Sequence, residues 1–217
     1  RGEMVLDYVR WVMVHKRDPT AAVPETVVPK TAASVAPADL IVPAGLSLGA
    51  YDDVAAGSPH RWEDYEAGER IDHVSGMTLE DSDHMFSTRL YQNTARVHFD
   101  AFAGKDTRFG RRLAYGGNVI SLARALSFNG LGNGFRVAAI NAGSHVAPTF
   151  GSDTIYAWSE VLEKAPLPGR ADVGALRVRS IATKDCPCGT WPGKGPDGKY
   201  HPAVVLDLDY WLLMPRR

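Results

Sequence analysis

The residues best suited to chemistry gather between Asn93 and Gly116. His98 carries the side chain that titrates nearest neutrality, so it can accept a proton from water or return one to carbon. Gly116-Gly117 opens a helix, where the first amides lack an intrahelical acceptor and the positive end suits a developing oxyanion. Glycine also lets a flat carbonyl group approach closely. Asn93 can orient a polar group but cannot exchange a proton. Arg96, Arg111 and Arg112 present planar forks matched to carboxylate or phosphate, and Tyr115 can donate a hydrogen bond. Each has a plainer reading: a packed histidine, a helix-opening glycine, solvated arginines, a core tyrosine.

Other candidates carry less. Cys186-Pro187-Cys188 has no second cysteine pair and only His201 nearby, so no metal site is expected. Gly130-x-Gly132-x-Gly134 follows a helix instead of opening one, which argues against a dinucleotide loop. Ser144 and His145 are adjacent and so do not form a nucleophile–base pair, and Gly-x-Ser-x-Gly is absent. His145 is expected to pack on a strand, with lining a pocket as the other reading.

The elements that must position these groups are legible in outline. Residues 71–77 read as a short strand, and Thr78 as the cap of a helix running to about Leu90. A loop with short turns carries 91–113. The helix at 118–127 has apolar side chains nearly all round, with Ser121, Arg124 and Ser127 as a narrow polar stripe, which predicts burial. Glycines at 130, 132 and 134 end it. Strands follow near 136–142, 154–163, 171–184 and 203–214, with a long loop over 185–202. Few helices among antiparallel strands predict an α+β fold.

Hydrophobic residues make up 45% of the 217 and charged residues 23%, which is globular usage. Lysine plus arginine number 24 against 25 acids, so the net charge of −1 offers no electrostatic footprint for nucleic acid. The apolar runs are too short to span a bilayer, so no membrane partner is expected. Two cysteines are too few for a disulfide framework and predict a cytoplasmic setting.

An echo bears on organisation. Val5-Leu6-Asp7-Tyr8-Val9-Arg10-Trp11 returns as Val205-Leu206-Asp207-Leu208-Asp209-Tyr210-Trp211, each followed by apolar residues and a basic pair. Each segment then reads as the last strand of a similar domain. The expected organisation is 1–18 as the final strand of a truncated N-terminal domain, 19–60 as a Pro/Ala-rich connector, and 61–217 as a complete second domain. The prolines at 19, 24, 29, 37 and 43 favour extended backbone in the connector.

Asn93-Thr94-Ala95-Arg96-Val97-His98-Phe99-Asp100, then Leu113-Ala114-Tyr115-Gly116, then Ala147-Pro148-Thr149-Phe150-Gly151-Ser152-Asp153-Thr154 resemble the MaoC-like hydratases. These are the R-specific enoyl-CoA hydratase branch of the hot-dog fold. The similarity runs from about Trp62 to the end. Within the family, 89–100 resembles the branch that reversibly hydrates 2-methylfumaryl-CoA to (2R,3S)-β-methylmalyl-CoA and consists of two fused hot-dog domains.

The resemblance implies an antiparallel sheet wrapped around a buried helix, as the C-terminal part of a double hot-dog protein. It implies a metal-free hydro-lyase in which coenzyme A belongs to the substrate and no separate cofactor is used. His98, Asn93 and Gly116 take the catalytic positions; Arg96, Arg112 and Tyr115 are expected to bind substrate. The expected partners are the N-terminal half and a second copy in a homodimer. The departures are Asn93 and Ala95, where the family has Asp and Asn, and Tyr115, where it has His. Two alternatives remain: a hot-dog acyl-CoA thioesterase, and a non-catalytic acyl-CoA-binding or assembly module.

Overall fold

The computed structural model describes residues 2, 5–12 and 16–217. The chain divides into two units, Arg1–Ala33 and Ser34–Arg217. In the first, the described residues 5–12 of the strand expected over 1–18 are exposed and carry no ladder; its residues 1, 3, 4 and 13–15 lie outside the described residues. A strand has no hydrogen-bonding outlet without a neighbour, and this unit offers none among its described residues. A turn follows, where the Asp18 carboxylate accepts from the Thr20 amide at 2.9 Å and its hydroxyl at 2.7 Å.

The second unit starts at Ser34, earlier than the Arg61 expected from sequence. Prolines do suppress helix across 19–33, but the apolar residues between later prolines have a face to cover. Val35, Leu40, Val42 and Leu48 pack against Ala165, Leu167, Val173, Trp211 and Leu213. The Trp211 indole donates to the Val35 carbonyl at 2.9 Å, and Asn141 accepts the Val35 amide at 2.9 Å. A short helix, α1 (Asp53–Ala56), is capped by Asp52, whose carboxylate accepts from two of its amides.

One six-stranded antiparallel sheet follows, from β1 (Arg70–Asp72), β2 (Met77–Thr78), β3 (Arg136–His145), β4 (Thr154–Leu167), β5 (Arg170–Lys184) and β6 (Val204–Pro215). Its order is β1-β4-β5-β6-β3, with β2 also on β4. The helices are α2 (Asp81–Leu90), α3 (Ala101–Gly104), α4 (Gly116–Leu126) and α5 (Phe128–Leu131). Alternation along β4 sends Ile155, Ala157 and Val161 to one face, against Val119, Ala123 and Leu126 of α4. A register shift between Val161 and Glu163 reverses the parity, so Ala165 and Leu167 join the opposite face under 35–48. At the other end of that face the 185–202 loop covers Trp158 and Ile181 with Cys188, Trp191 and Tyr200.

Three local expectations are corrected. Residues 71–77 form two strands because Val74 sits at φ 61°, breaking the pleat. Thr78 pairs within β2, and Leu79 exchanges backbone hydrogen bonds with Asp153 and Ser152 at 2.9 Å each, so the helix starts at Asp81. Helix α4 buries one face only: Ser121 and Ala125 are exposed, and Ile120 and Leu122 are half-buried.

A buried polar chain fixes the end of α4 to the sheet. Tyr210 meets Ser180 at 3.0 Å, Ser180 meets Ser159 at 2.7 Å, and Ser159 meets His73 Nε2 at 2.8 Å. His73 Nδ1 donates to the Asn129 carbonyl at 2.6 Å. Burial, helped by the Arg124 guanidinium, holds the His73 pKa below its ordinary 6.5, and burial lowers His84 likewise. Below pH 6.5 the unfolded chain therefore binds protons that the fold refuses. The stabilisation is complete above that pH and is lost as pH falls through the lowered folded values. The melting temperature should drop from pH 7 toward pH 5, and His73→Gln should flatten that slope in a calorimetric pH series.

Candidate active site

Three segments converge at the mouth of α4: the 3-10 turn Arg96–His98, the approach 113–117, and the end of β3. The Leu113 amide donates to the Val97 carbonyl at 3.1 Å, and His98 Nδ1 meets the Leu113 carbonyl at 3.0 Å. A carbonyl only accepts, so Nδ1 carries a proton, and in the neutral ring Nε2 is then the nitrogen with the lone pair. The Ala114 amide donates to Thr149 at 2.8 Å, and the Tyr115 amide to Nε2 of buried His84 at 2.8 Å. Three elements thus hold three successive amides, which fixes where the helix opens. Among the described residues, the Gly116 and Gly117 amides have no acceptor.

Glycine is required here for space. A Cβ on Gly116 would lie 2.4 Å from His145 Nε2, and one on Gly117 2.5 Å from the Tyr115 ring. The His145 imidazole therefore lies against the helix mouth, and the Tyr115 ring folds over the next residue. The His98 and Tyr115 rings are 5.8 Å apart, centroid to centroid. His98 and Tyr115 are half-buried, while His145 remains open to solvent on its outer side. Burial against the helix, with His98 beside it, lowers the His145 pKa.

The structure brings His98, Tyr115 and Gly116 together. Asn93 is engaged locally: its carboxamide oxygen accepts the Ala95 amide at 2.8 Å, and its own amide donates to Thr88 at 3.0 Å. It shapes the turn into Arg96–His98. Arg96 is mostly exposed and paired with Asp100 at 2.7 Å, and Arg112 is paired with Asp81 at 3.0 Å. Arg111 lies 3.8 Å over the Phe150 ring. Sequence reading missed His84; its one signal is Thr88 a helical turn later, whose hydroxyl donates to the His84 carbonyl at 2.7 Å. The contact of His145 with Gly116 was also missed, because register shifts inside β3 break the alternation that would have placed it. Cys186 and Cys188 are free thiols, and burial pushes Cys188 up to about 11. Among the described residues, no three His, Cys, Asp or Glu side chains form a metal-holding group, and no helix is long and apolar enough to cross a membrane.

An antiparallel sheet packed on one central helix, with a histidine turn at that helix's mouth, defines a MaoC-like hot-dog protein. The sequence profile of the mesaconyl-CoA hydratase family matches residues 1–193, and the chain belongs to that family. It is 60% identical over 215 residues to the β-methylmalyl-CoA dehydratase of Chloroflexus aurantiacus, covering 99% of this chain and 61% of that protein. It is 58% identical over 220 residues to the mesaconyl-CoA hydratase of Cereibacter sphaeroides, covering 100% of this chain and 62% of that protein. The chain thus spans about three-fifths of the length of these relatives. The crystal structure of a MaoC domain protein dehydratase from Chloroflexus aurantiacus superposes with a TM-score of 0.88 at 59% identity, covering 94% of this chain and 58% of that one.

Proposed function

We propose that the protein catalyses reversible hydration of 2-methylfumaryl-CoA to (2R,3S)-β-methylmalyl-CoA. The observation that carries this reading is that Leu113 accepts the His98 Nδ1 proton and, three residues on, the same backbone opens the α4 mouth at Gly116. The free Nε2 takes a proton from water, the hydroxyl adds to the β-carbon, and the electron pair moves onto the thioester oxygen at the Gly116 amide. The imidazolium then returns a proton to the α-carbon, so atoms and charge balance. This chemistry needs neither a metal nor a cofactor beyond the coenzyme A of the substrate. The identity to the Chloroflexus dehydratase supports the substrate assignment. We read the working enzyme as a cytoplasmic homodimer of double hot-dog chains, with 1–18 closing the N-terminal half.

The test supplies 2-methylfumaryl-CoA to the full-length protein and follows enoyl absorbance together with free thiol. Absorbance loss without thiol is the expected result. Thiol release would mark a thioesterase, and no change in either a binding module; both contradict the reading.

The second carboxylate of this substrate needs a cation, and we assign that role to Arg112, half-buried beside the approach to Gly116, which would share its fork with Asp81. Arg112→Gln should raise KM for the diacid by about tenfold or more, as loss of a charged hydrogen bond would, while leaving crotonyl-CoA unaffected. Arg96→Gln, on an exposed pair, should have the smaller effect of the two.

A further inference from the structure

We propose that His145 is a catalytic residue: its Nε2–H is the second donor, beside the Gly116 amide, to the thioester oxygen on which enolate charge develops. This rests on the hydratase reading and adds a residue to it. Four observations converge. Nε2 is the ring atom nearest the position of a Gly116 Cβ, at 2.4 Å, which puts it within about 4 Å of the Gly116 Cα. His145 pairs with Leu206, a member of the cluster under α4, so both side chains share the helix-facing side of the sheet. The imidazole stays open to solvent, and among the described residues neither ring nitrogen has a hydrogen-bond partner. Finally, Nε2 of His84 already accepts the Tyr115 amide at 2.8 Å, so that imidazole nitrogen carries no proton to offer the oxygen.

A neutral imidazole donates from one ring nitrogen without adding charge to the cleft, and the surroundings favour that form. Burial against the helix mouth and the neighbouring His98 both disfavour protonation. The other titratable and charged groups around the cleft are Tyr115, His84, and Arg112 with Asp81. His98 and His145 thus divide the work. The first moves the proton, and the second donates a hydrogen bond to the developing charge.

The test compares wild type, His145→Phe and His145→Gln in the full-length protein. Phe keeps a flat ring without a donor, and Gln restores an N–H. On 2-methylfumaryl-CoA, His145→Phe should lower kcat by about 10²–10³-fold, the usual effect of removing one oxyanion donor, and His145→Gln should recover part of it. Isotope-edited infrared spectra of bound 2-methylsuccinyl-CoA should show the thioester carbonyl band at higher wavenumber in His145→Phe than in wild type. Full kcat in His145→Phe or an unmoved carbonyl band would each overturn the donor role. Wild-type protein that leaves 2-methylfumaryl-CoA unchanged would sink the hydratase reading instead, and the carbonyl band would still report on His145. Failure of wild type to bind the thioester would sink both.

Discussion

His98→Ala is expected to lower kcat for the proposed hydration of 2-methylfumaryl-CoA by about 10²–10⁴-fold, the range for removing a positioned general base, with the fold retained. The residue is placed by a single hydrogen bond from Nδ1 to the Leu113 carbonyl and lies in a turn whose backbone bonds do not involve the side chain. Truncation therefore costs about 1 kcal/mol of stability, visible as a small shift in melting temperature. A large kinetic loss beside a small thermal one separates chemistry from structure. Retention of activity in His98→Ala would remove the imidazole from the mechanism.

Gly116→Ala is expected to be nearly as damaging, for a different reason. Gly116 does not occupy the left-handed region, and alanine is the better helix former by about 1 kcal/mol. The helix therefore has no reason to unfold. The added Cβ meets His145 Nε2 at 2.4 Å and must push the ring aside, filling the space in which a thioester oxygen would sit. Activity should fall by about 10²-fold or more while the circular dichroism spectrum stays that of wild type. Near-normal kcat in a folded Gly116→Ala protein would show that the thioester lies elsewhere.

Much of the sheet could be read directly from sequence because apolar alternation and turn residues agree there. β5 and β6 fall within a residue of expectation, and Gly169 takes the φ of 69° that the turn before β5 demands. Elements failed where a non-local contact outweighed a local preference. Thr78 has the side chain of a helix cap, yet the Leu79–Asp153 and Leu79–Ser152 bonds keep that stretch extended. The proline-rich stretch up to Leu48 looked like connector, but its scattered Val and Leu cover Trp211 and Leu213.

At the site, His98 and Gly116 were visible because imidazole chemistry and a helix-opening glycine each have a local signature. His84 was not, and His145 showed only as the lesser of two readings, since their contacts come from what lies across from them. His84 matters through the Tyr115 amide and His145 through the absent side chain of Gly116. The arginines show the same limit from the other side. Sequence presented Arg96 and Arg112 as free forks, and the fold gives each a carboxylate.

The most direct measurement is a crystal structure of the full-length protein with 2-methylsuccinyl-CoA, which has the right shape and no double bond to hydrate. The thioester oxygen should sit about 3 Å from the Gly116 amide nitrogen, with His98 Nε2 facing the α- and β-carbons. A thioester bound away from the α4 mouth, or an α4 mouth closed by side chains in the complex, would contradict the proposed hydration site.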